Sequence, residues 1–158
     1  MNANLKRRVF LKGSVAAGTL GVAVSAGLLM PGTVMAAWPK AAFSSKNMEG
    51  ALDSIMGSNA AAASDAIQIK APDIAENGAV VPITISTTLE GVESIALLAL
   101  ANATPLASSM TLGEGAEGFL STRIKMGKTG DVVAVLKAGG KLYRASKGVK
   151  VTIGGCGG

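Results

Sequence analysis

The chain has one cysteine, Cys156, which lies in the sequence TIGGCGG with two glycines on either side. A thiol can act as a nucleophile, a metal ligand, a disulfide partner or a point of covalent attachment. Glycine loses more conformational freedom on ordering than any other residue, so this stretch is poorly suited to holding a side chain still. The sequence therefore predicts a flexible arm, which keeps the thiol mobile and unobstructed and is formed by Gly154, Gly155, Gly157 and Gly158.

The rest of the sequence offers this thiol few chemical partners. The chain has no histidine, which removes the commonest general base and every Cys-His or Ser-His-Asp arrangement. One cysteine cannot form a metal site alone, and the 10 acidic residues do not have the spacing of calcium ligands. We therefore expect no metal and no cofactor.

The reactivity of a thiol depends on its thiolate fraction, which a nearby cation or a helix N-terminus increases. The nearest basic residue in sequence, Lys150, lies six positions before Cys156. We therefore expect the pKa of Cys156 to stay at that of an unperturbed thiol. A group that other proteins reach and modify needs such exposure, whereas a catalytic nucleophile needs neighbours that are missing here. The sequence thus predicts a non-catalytic protein whose thiol is modified by partner enzymes.

Other roles for Cys156 are judged by its position. A lipoprotein cysteine directly follows a signal peptide, and a prenylated cysteine is followed by three residues where this chain has two, so both roles are excluded. Flanking glycines cannot cover a buried thiol. A disulfide to another chain stays open, because an odd cysteine in an exported protein can pair between chains. A disordered tail with an incidental cysteine also stays open.

Residues 1–36 have the composition of an export signal. A basic start precedes an apolar stretch over about 15–30, and small residues lie at the spacing that signal peptidase reads. The run KRRVFLK at 6–12 resembles a twin-arginine signal. A membrane anchor is the alternative, but the stretch is rich in glycine and weakly hydrophobic. We expect cleavage after Ala36 or Ala37, a periplasmic location and no membrane association afterwards.

Removal of this segment changes the charge balance. The full chain has 15 basic and 10 acidic residues, and loss of four basic residues with residues 1–36 leaves 11 basic and 10 acidic. The remaining chain is nearly neutral and has no basic stripe with interleaved aromatic residues. Nucleic acid is therefore not an expected partner.

A short amphipathic helix is predicted over 45–57, with Ser44 or Ser45 as its N-cap and Gly57-Ser58-Asn59 at its end. The alanine-rich AAAASD that follows is either a linker or a continuation of the helix. The predicted helix has one apolar face, formed by Met48, Leu52, Ile55 and Met56.

From Ala66 onward, about seven short β-type runs separated by turn residues predict an antiparallel sandwich. Pro82 cannot donate to a ladder, so its strand is expected to be an edge or to carry a bulge. Asn77-Gly78 and Gly139-Gly140 have the residues of tight turns with positive φ. The longest apolar run after the predicted signal peptide, SIALLALAN, is either a buried central strand or an exposed face that binds a partner. The runs are AIQIKA, AVVPITIS, ESIALLALA, ASSMTL, GFLSTRIKM, GDVVAVLKAG and GKLYRASKGVKVTIG.

The sequence VKVTIGGCGG (Val149 to Gly158) resembles the SoxY family, the sulfur-carrier subunits of the periplasmic thiosulfate-oxidising system. The similarity extends to the twin-arginine leader, to APDIAENGAVVPITI (Ala71 to Ile85) and to RIKMGKTGDVVAVLKAGGKLY (Arg123 to Tyr143). The resemblance implies an immunoglobulin-like sandwich. It also implies that Cys156 is the carrier thiol and that its flanking glycines form the carrier arm.

The same resemblance implies partners. A second subunit, SoxZ, forms a heterodimer with the carrier, a haem c-type enzyme joins thiosulfate oxidatively to the thiol, and a hydrolase releases sulfate. The function expected is thus a covalent carrier of thiosulfate-derived intermediates, and the alternative is a redox or structural module that forms an intermolecular disulfide through Cys156. The expected division of the chain is a signal peptide at 1–36, a helix and linker at 37–65, a sandwich at 66–153 and the carrier arm at 154–158.

Overall fold

The computed structural model describes residues 38–152. The chain divides into two units between Trp38 and Pro39, and the elements below belong to the second. The predicted signal peptide at 1–36 and the predicted arm at 154–158 lie outside the described residues. Among residues 38–152, neither helix has the length and hydrophobicity of a membrane-spanning segment. The elements are α1 (Lys40–Ser44), α2 (Met48–Met56), β1 (Ala61–Ala63), β2 (Ile67–Lys70), β3 (Ile74–Ala75), β4 (Val81–Thr87), β5 (Val92–Ala99), β6 (Leu106–Thr111), β7 (Phe119–Ile124), β8 (Gly130–Ala138) and β9 (Lys141–Val151).

The strands form two sheets with the main core between them. The larger sheet has the order β1-β9-β8-β5-β6, with β3 also paired to β9, and the smaller has the order β2-β4-β7. The long strands pair antiparallel, while β1 and β3 run parallel to β9. Pairing of β4 with β7 in one sheet, and of β5, β8 and β9 in the other, is the arrangement of an immunoglobulin-like domain. The predicted sandwich is confirmed, and all seven predicted runs form strands.

The pattern of buried residues explains how each sheet is covered. In β4, buried Val81, Ile83 and Ile85 alternate with more exposed residues, so only one face of the smaller sheet is apolar. β5 is buried on both faces because its odd and even residues join different clusters: Leu97 faces the core between the sheets, and Leu98 joins the cluster that contains the helices. The run SIALLALAN is therefore a buried central strand, and the exposed-face alternative is wrong.

α2 covers the outer face of the larger sheet. Leu52 and Met56 of the helix are buried in the same cluster as Leu98, as its predicted apolar face requires. The helix ends at Gly57, which has a left-handed φ of 73°. The predicted N-cap is wrong, because Asn47 caps the helix by accepting a 2.8 Å hydrogen bond from the Gly50 N–H. Ser45 instead donates its hydroxyl to the Asn47 carbonyl at 3.0 Å.

The alanine-rich segment after α2 forms a strand, where the sequence predicted a linker or more helix. Ala61–Ala63 pair in parallel with Leu142 to Arg144 of β9, and the Ser64 N–H donates to the Arg144 carbonyl at 3.0 Å. Three consecutive alanines show no alternation of apolar and polar residues. The strand forms because the backbone of β9 offers unpaired groups on that side.

The expectation that Pro82 marks an edge or a bulge is wrong, since β4 is the central strand of its sheet and pairs without a register shift. Pro82 pairs with Arg123 of β7, whereas the pairing with β2 begins only at Thr84. Alternate residues of an antiparallel strand direct their N–H groups to opposite sides. The proline thus lies beyond the end of β2, where its missing N–H removes no ladder bond.

Both predicted glycine turns are present, but the predicted positive φ is confirmed at only one of them. Gly139 and Gly140 have φ values of 55° and 73° and join β8 to β9 in a hairpin. Gly78 does not have a positive φ. The preceding Asn77 forms a turn in which its side chain accepts from the Ala79 N–H at 2.9 Å. Glycine is required at 78 because a Cβ there would lie 2.4 Å from the Met126 carbonyl oxygen.

We expect Gly78→Ala to destabilise the domain by about 1–3 kcal/mol, the usual cost of forcing an extra carbon into packed structure. The new Cβ would also lie 2.8 Å from Cγ1 of Val151. The measurement is urea-induced unfolding of the protein. Gly113→Ala is the matched control, because a Cβ at that position meets no atom within 4 Å and its φ is not positive. Equal unfolding midpoints for the two variants would contradict the close approach at Gly78.

Candidate functional site

All the residues to which the sequence assigns the chemistry lie outside the described range. Cys156, with Gly154, Gly155, Gly157 and Gly158, follows the last described residue, Thr152, and four peptide bonds separate Thr152 from Cys156. The structure therefore describes the place from which this segment leaves the sandwich. We call that place the arm root and define it as Asp73, Ala75, Thr129, Val151 and Thr152.

On one edge of β9, Thr129 bonds to Val151, which lies beyond the last residue of β9 that pairs with β8. The last paired residues of β8 and β9 are Gly130 and Val149. Two residues further on, the Val151 N–H donates to the Thr129 Oγ1 at 2.9 Å, and that hydroxyl donates to the Val151 carbonyl at 3.3 Å. A hydroxyl both donates and accepts, so it can replace a backbone partner. Both backbone groups of Val151 are satisfied by one side chain.

On the opposite edge, the short strand β3 holds the same residues. Its Ile74 and Ala75 pair with Lys150 and Val151. The Lys150 N–H donates to the Asp73 carbonyl at 2.9 Å, and the Thr152 N–H donates to the Ala75 carbonyl at 3.1 Å. The end of β9 is therefore bonded on both edges as far as Val151, and Thr152 is bonded on the β3 side.

An ion pair adds little to this arrangement. Lys147 Nζ lies 3.1 Å from Asp73 Oδ1, but the Asp73 side chain is 89% exposed. Exposed ion pairs contribute little to stability because water and salt screen them. The backbone and hydroxyl hydrogen bonds position the strand end.

The loop that presents Thr129 is itself fixed. Asn102 donates from Nδ2 to the Lys125 carbonyl at 2.7 Å and accepts at Oδ1 from the Gly127 N–H at 2.9 Å. Met126, which lies between these two residues and is 2% exposed, donates its N–H to the Gly78 carbonyl at 2.7 Å. Thr129 thus projects from a loop that is attached to two other connections.

The arm root has the chemistry of an anchor. Apart from the exposed ion pair of Asp73, its polar contacts use backbone groups and the hydroxyls of Thr129 and Thr152. Residues 38–152 contain no group of three side chains able to hold a metal ion. No nucleophile lies next to a base within these five residues. The described part of the site can therefore position the residues that follow it.

Sequence reasoning missed the residues of the arm root. Thr129 lies 22 positions before Val151, and Asp73 lies 77 positions before Lys150, so no local pattern links them. The one available signal was the dipeptide Ile74-Ala75 within a turn-rich segment, which is too short to show strand alternation.

Two comparisons with known proteins, one with family models and one with solved structures, lead to the same family. A family model described as sulfur oxidation protein SoxY matches residues 52–156. The solved structure of the sulfur carrier protein SoxY from Chlorobium limicola f thiosulfatophilum is 46% identical, has a TM-score of 0.60 and covers 65% of this chain and 94% of that chain. A superoxide reductase (neelaredoxin) from Ignicoccus hospitalis is 18% identical, with a TM-score of 0.47 over 54% of this chain and 80% of that chain, and such a weak likeness supports no argument. Among curated proteins there is no match.

We expect Thr129→Val to loosen the arm root, because valine keeps the branched shape of threonine but leaves the Val151 N–H without its partner. The expected loss is about 1–2 kcal/mol in the free energy of unfolding. Amide hydrogen exchange should locate the effect, with faster exchange at Val151 and Thr152 than in the centre of β9.

Two variants serve as controls for this prediction. Thr129→Ser keeps the hydroxyl and should retain slow exchange at Val151. Thr111→Val removes a hydroxyl on the edge strand β6 that has no hydrogen-bond partner in the described structure, and it should leave exchange at the arm root unchanged. Unchanged exchange at Val151 in Thr129→Val would show that the hydroxyl does not hold the strand end.

Proposed function

The chain belongs to the SoxY family of sulfur oxidation proteins, and we propose that it carries thiosulfate-derived sulfur intermediates covalently on the thiol of Cys156. The observation that carries this proposal is the family match over residues 52–156, which ends on that cysteine. The 46% identical Chlorobium protein is described as a sulfur carrier. The sandwich and its arm root support the proposal, because they provide a fixed base for a short segment that bears the thiol.

The length of that segment suits delivery of a cargo. Four residues beyond Thr152 place the Cα of Cys156 at most about 14 Å from the Cα of Thr152, from the extended length of a chain. Two glycines before the cysteine and two after it present no side chains to a narrow channel. The thiol can therefore enter a partner's active site while the sandwich remains outside.

The carrier itself does not catalyse the chemistry in this proposal. A haem c-type partner enzyme removes two electrons as thiosulfate joins the thiol, so that R–SH and S₂O₃²⁻ give R–S–S–SO₃⁻ and one proton. A partner hydrolase then adds water to the terminal sulfur and releases sulfate and a proton, which leaves R–S–SH on the carrier. The haem and the hydrolytic groups belong to the partners, and Cys156 supplies the attachment point.

The location and the partner subunit are parts of the same proposal. The twin-arginine pattern at 6–12 supports export to the periplasm, where the thiosulfate-oxidising enzymes of this family act. A heterodimer with a SoxZ subunit is supported by family membership alone. The apolar run SIALLALAN does not support it, because the cluster that contains α1 and α2 buries that strand within this chain.

We expect Cys156→Ser to abolish sulfur loading and to leave the thermal unfolding of the sandwich unchanged, because the residue lies beyond the arm root. Intact mass spectrometry of protein from thiosulfate-grown cells is the measurement. Wild-type protein should carry adducts that a reductant removes, and the variant should carry none. As a matched control, Ser146→Ala, a substitution in β9, should load like the wild type.

The same intact-mass measurement distinguishes the carrier function from the alternative function. A wild-type protein found only as a disulfide-linked dimer, without sulfur adducts, would identify a redox or structural module. Adducts that persist in Cys156→Ser would contradict the assignment of the carrier thiol.

A further inference from the structure

A shallow cavity of about 530 Å³ lies at the end of the sandwich where β9 ends. Two connections form it, one between β5 and β6 and one between β7 and β8. Lys125 and Lys128 both line the cavity, and none of its lining residues is acidic. Asn102, Thr104 and Gly127 supply further polar groups and backbone. The cavity thus combines two positive charges with an absence of negative ones in its wall.

The cavity is adjacent to the arm root. Lys128 directly precedes Thr129, whose hydroxyl bonds to Val151 at 2.9 Å. On the other wall, Ala101 packs so closely on Gly130 that a Cβ on that glycine would lie 2.6 Å from the Cβ of Ala101. Gly130 in turn pairs with Val149 of β9. Since neighbouring strands lie about 4.8 Å apart, the cavity is close to the strand that leads to Cys156.

The two lysines are available to a ligand. Within residues 38–152 the recorded ion pairs use Lys137 and Lys147, so neither Lys125 nor Lys128 has a carboxylate partner there. The loop that bears them is held by two hydrogen bonds with Asn102, which donates to the Lys125 carbonyl and accepts from the Gly127 N–H. An anion in the cavity would therefore meet two ammonium groups on a fixed loop, without displacing an existing ion pair.

We propose that this cavity binds the anionic, sulfonate-like end of the cargo that is attached to Cys156. The inference rests on the proposed carrier function. Cys156 lies within about 14 Å of Thr152 along the extended chain, and a bound S–S–SO₃⁻ group extends that reach. The same chemistry would accept a free sulfur oxyanion from solution, so the experiment must separate the attached group from the free one. Binding would hold the loaded arm against the sandwich between visits to partner enzymes.

Three forms of the mature protein test the inference. One has the free thiol, and one carries the neutral carboxamidomethyl group from iodoacetamide. The third is loaded with tetrathionate, in which the thiolate attacks an inner sulfur, forms R–S–S–SO₃⁻ and releases thiosulfate. Backbone NMR shifts of Gly127 and Lys128 are compared among the three. We expect these amides to shift in the anionic adduct and to keep their positions in the neutral one.

Charge variants provide the matched comparison. Lys125→Gln with Lys128→Gln should abolish the adduct-specific shifts, whereas Lys46→Gln with Lys141→Gln, two exposed lysines outside this cavity, should retain them. Free thiosulfate titrated into Cys156→Ser measures the second source of ligand. Its affinity should fall about fivefold in the first pair of substitutions, as expected for loss of two exposed charge contacts, and should weaken with added salt.

The outcomes separate this inference from the carrier proposal. Shifts with free thiosulfate but none with the adduct would assign the cavity to a free anion and overturn the role for the cargo. Equal shifts in the neutral and anionic adducts would also overturn it, because charge recognition is the basis of the inference. In both cases the carrier proposal stands if cells load Cys156 with sulfur, and it fails if they do not.

Discussion

Pairing along both edges of β9 is the constraint on which the rest of the fold depends. β8 pairs with it from Lys141 to Val149, β1 occupies the opposite edge near its start, and β3 occupies that edge near its end. An unpaired strand edge exposes N–H and C=O groups that attract other chains. The two short parallel strands cover parts of that edge, and β3 together with Thr129 holds the end of β9 as far as the last described residue, Thr152.

The sequence predicted the parts of the fold that depend on local patterns. β4 alternates buried and exposed residues because its sheet is covered on one face, whereas β5 and β8 are continuous apolar runs because their sheet is covered on both faces. Both patterns can be recognised in the sequence alone. β1 was not predictable, because Ala61–Ala63 become a strand only through the unpaired edge of β9. The role of Pro82 depends on where β2 ends, which is a property of the register between strands.

In the candidate site, too, residues marked by a local pattern were predictable, and residues defined by contacts between distant segments were not. Cys156 stands out in the sequence because it is unique and lies between pairs of glycines, features that need no knowledge of the fold. Thr129 and Asp73 acquire their roles only when distant segments meet, and their residue types are common in loops. The sequence correctly indicated that glycine is needed at position 78, but for the wrong reason. It predicted a positive φ, whereas the close approach of the Met126 carbonyl is what requires glycine.

The hydrogen bonds at the arm root and the proposed binding of the cargo differ in their sensitivity to dissolved salt. The arm root is held by uncharged backbone and hydroxyl bonds beside Val149, which is 1% exposed, so dissolved salt screens it weakly. Lys125 and Lys128 are exposed, and their attraction for an anion is screened within about 10 Å at moderate ionic strength. A carrier needs a base that does not move and a cargo that is released readily. Under the proposed binding of the cargo, uncharged bonds at the root and exposed charges in the cavity would meet these two needs separately, because a change in salt or a competing partner would release the cargo without loosening the end of β9.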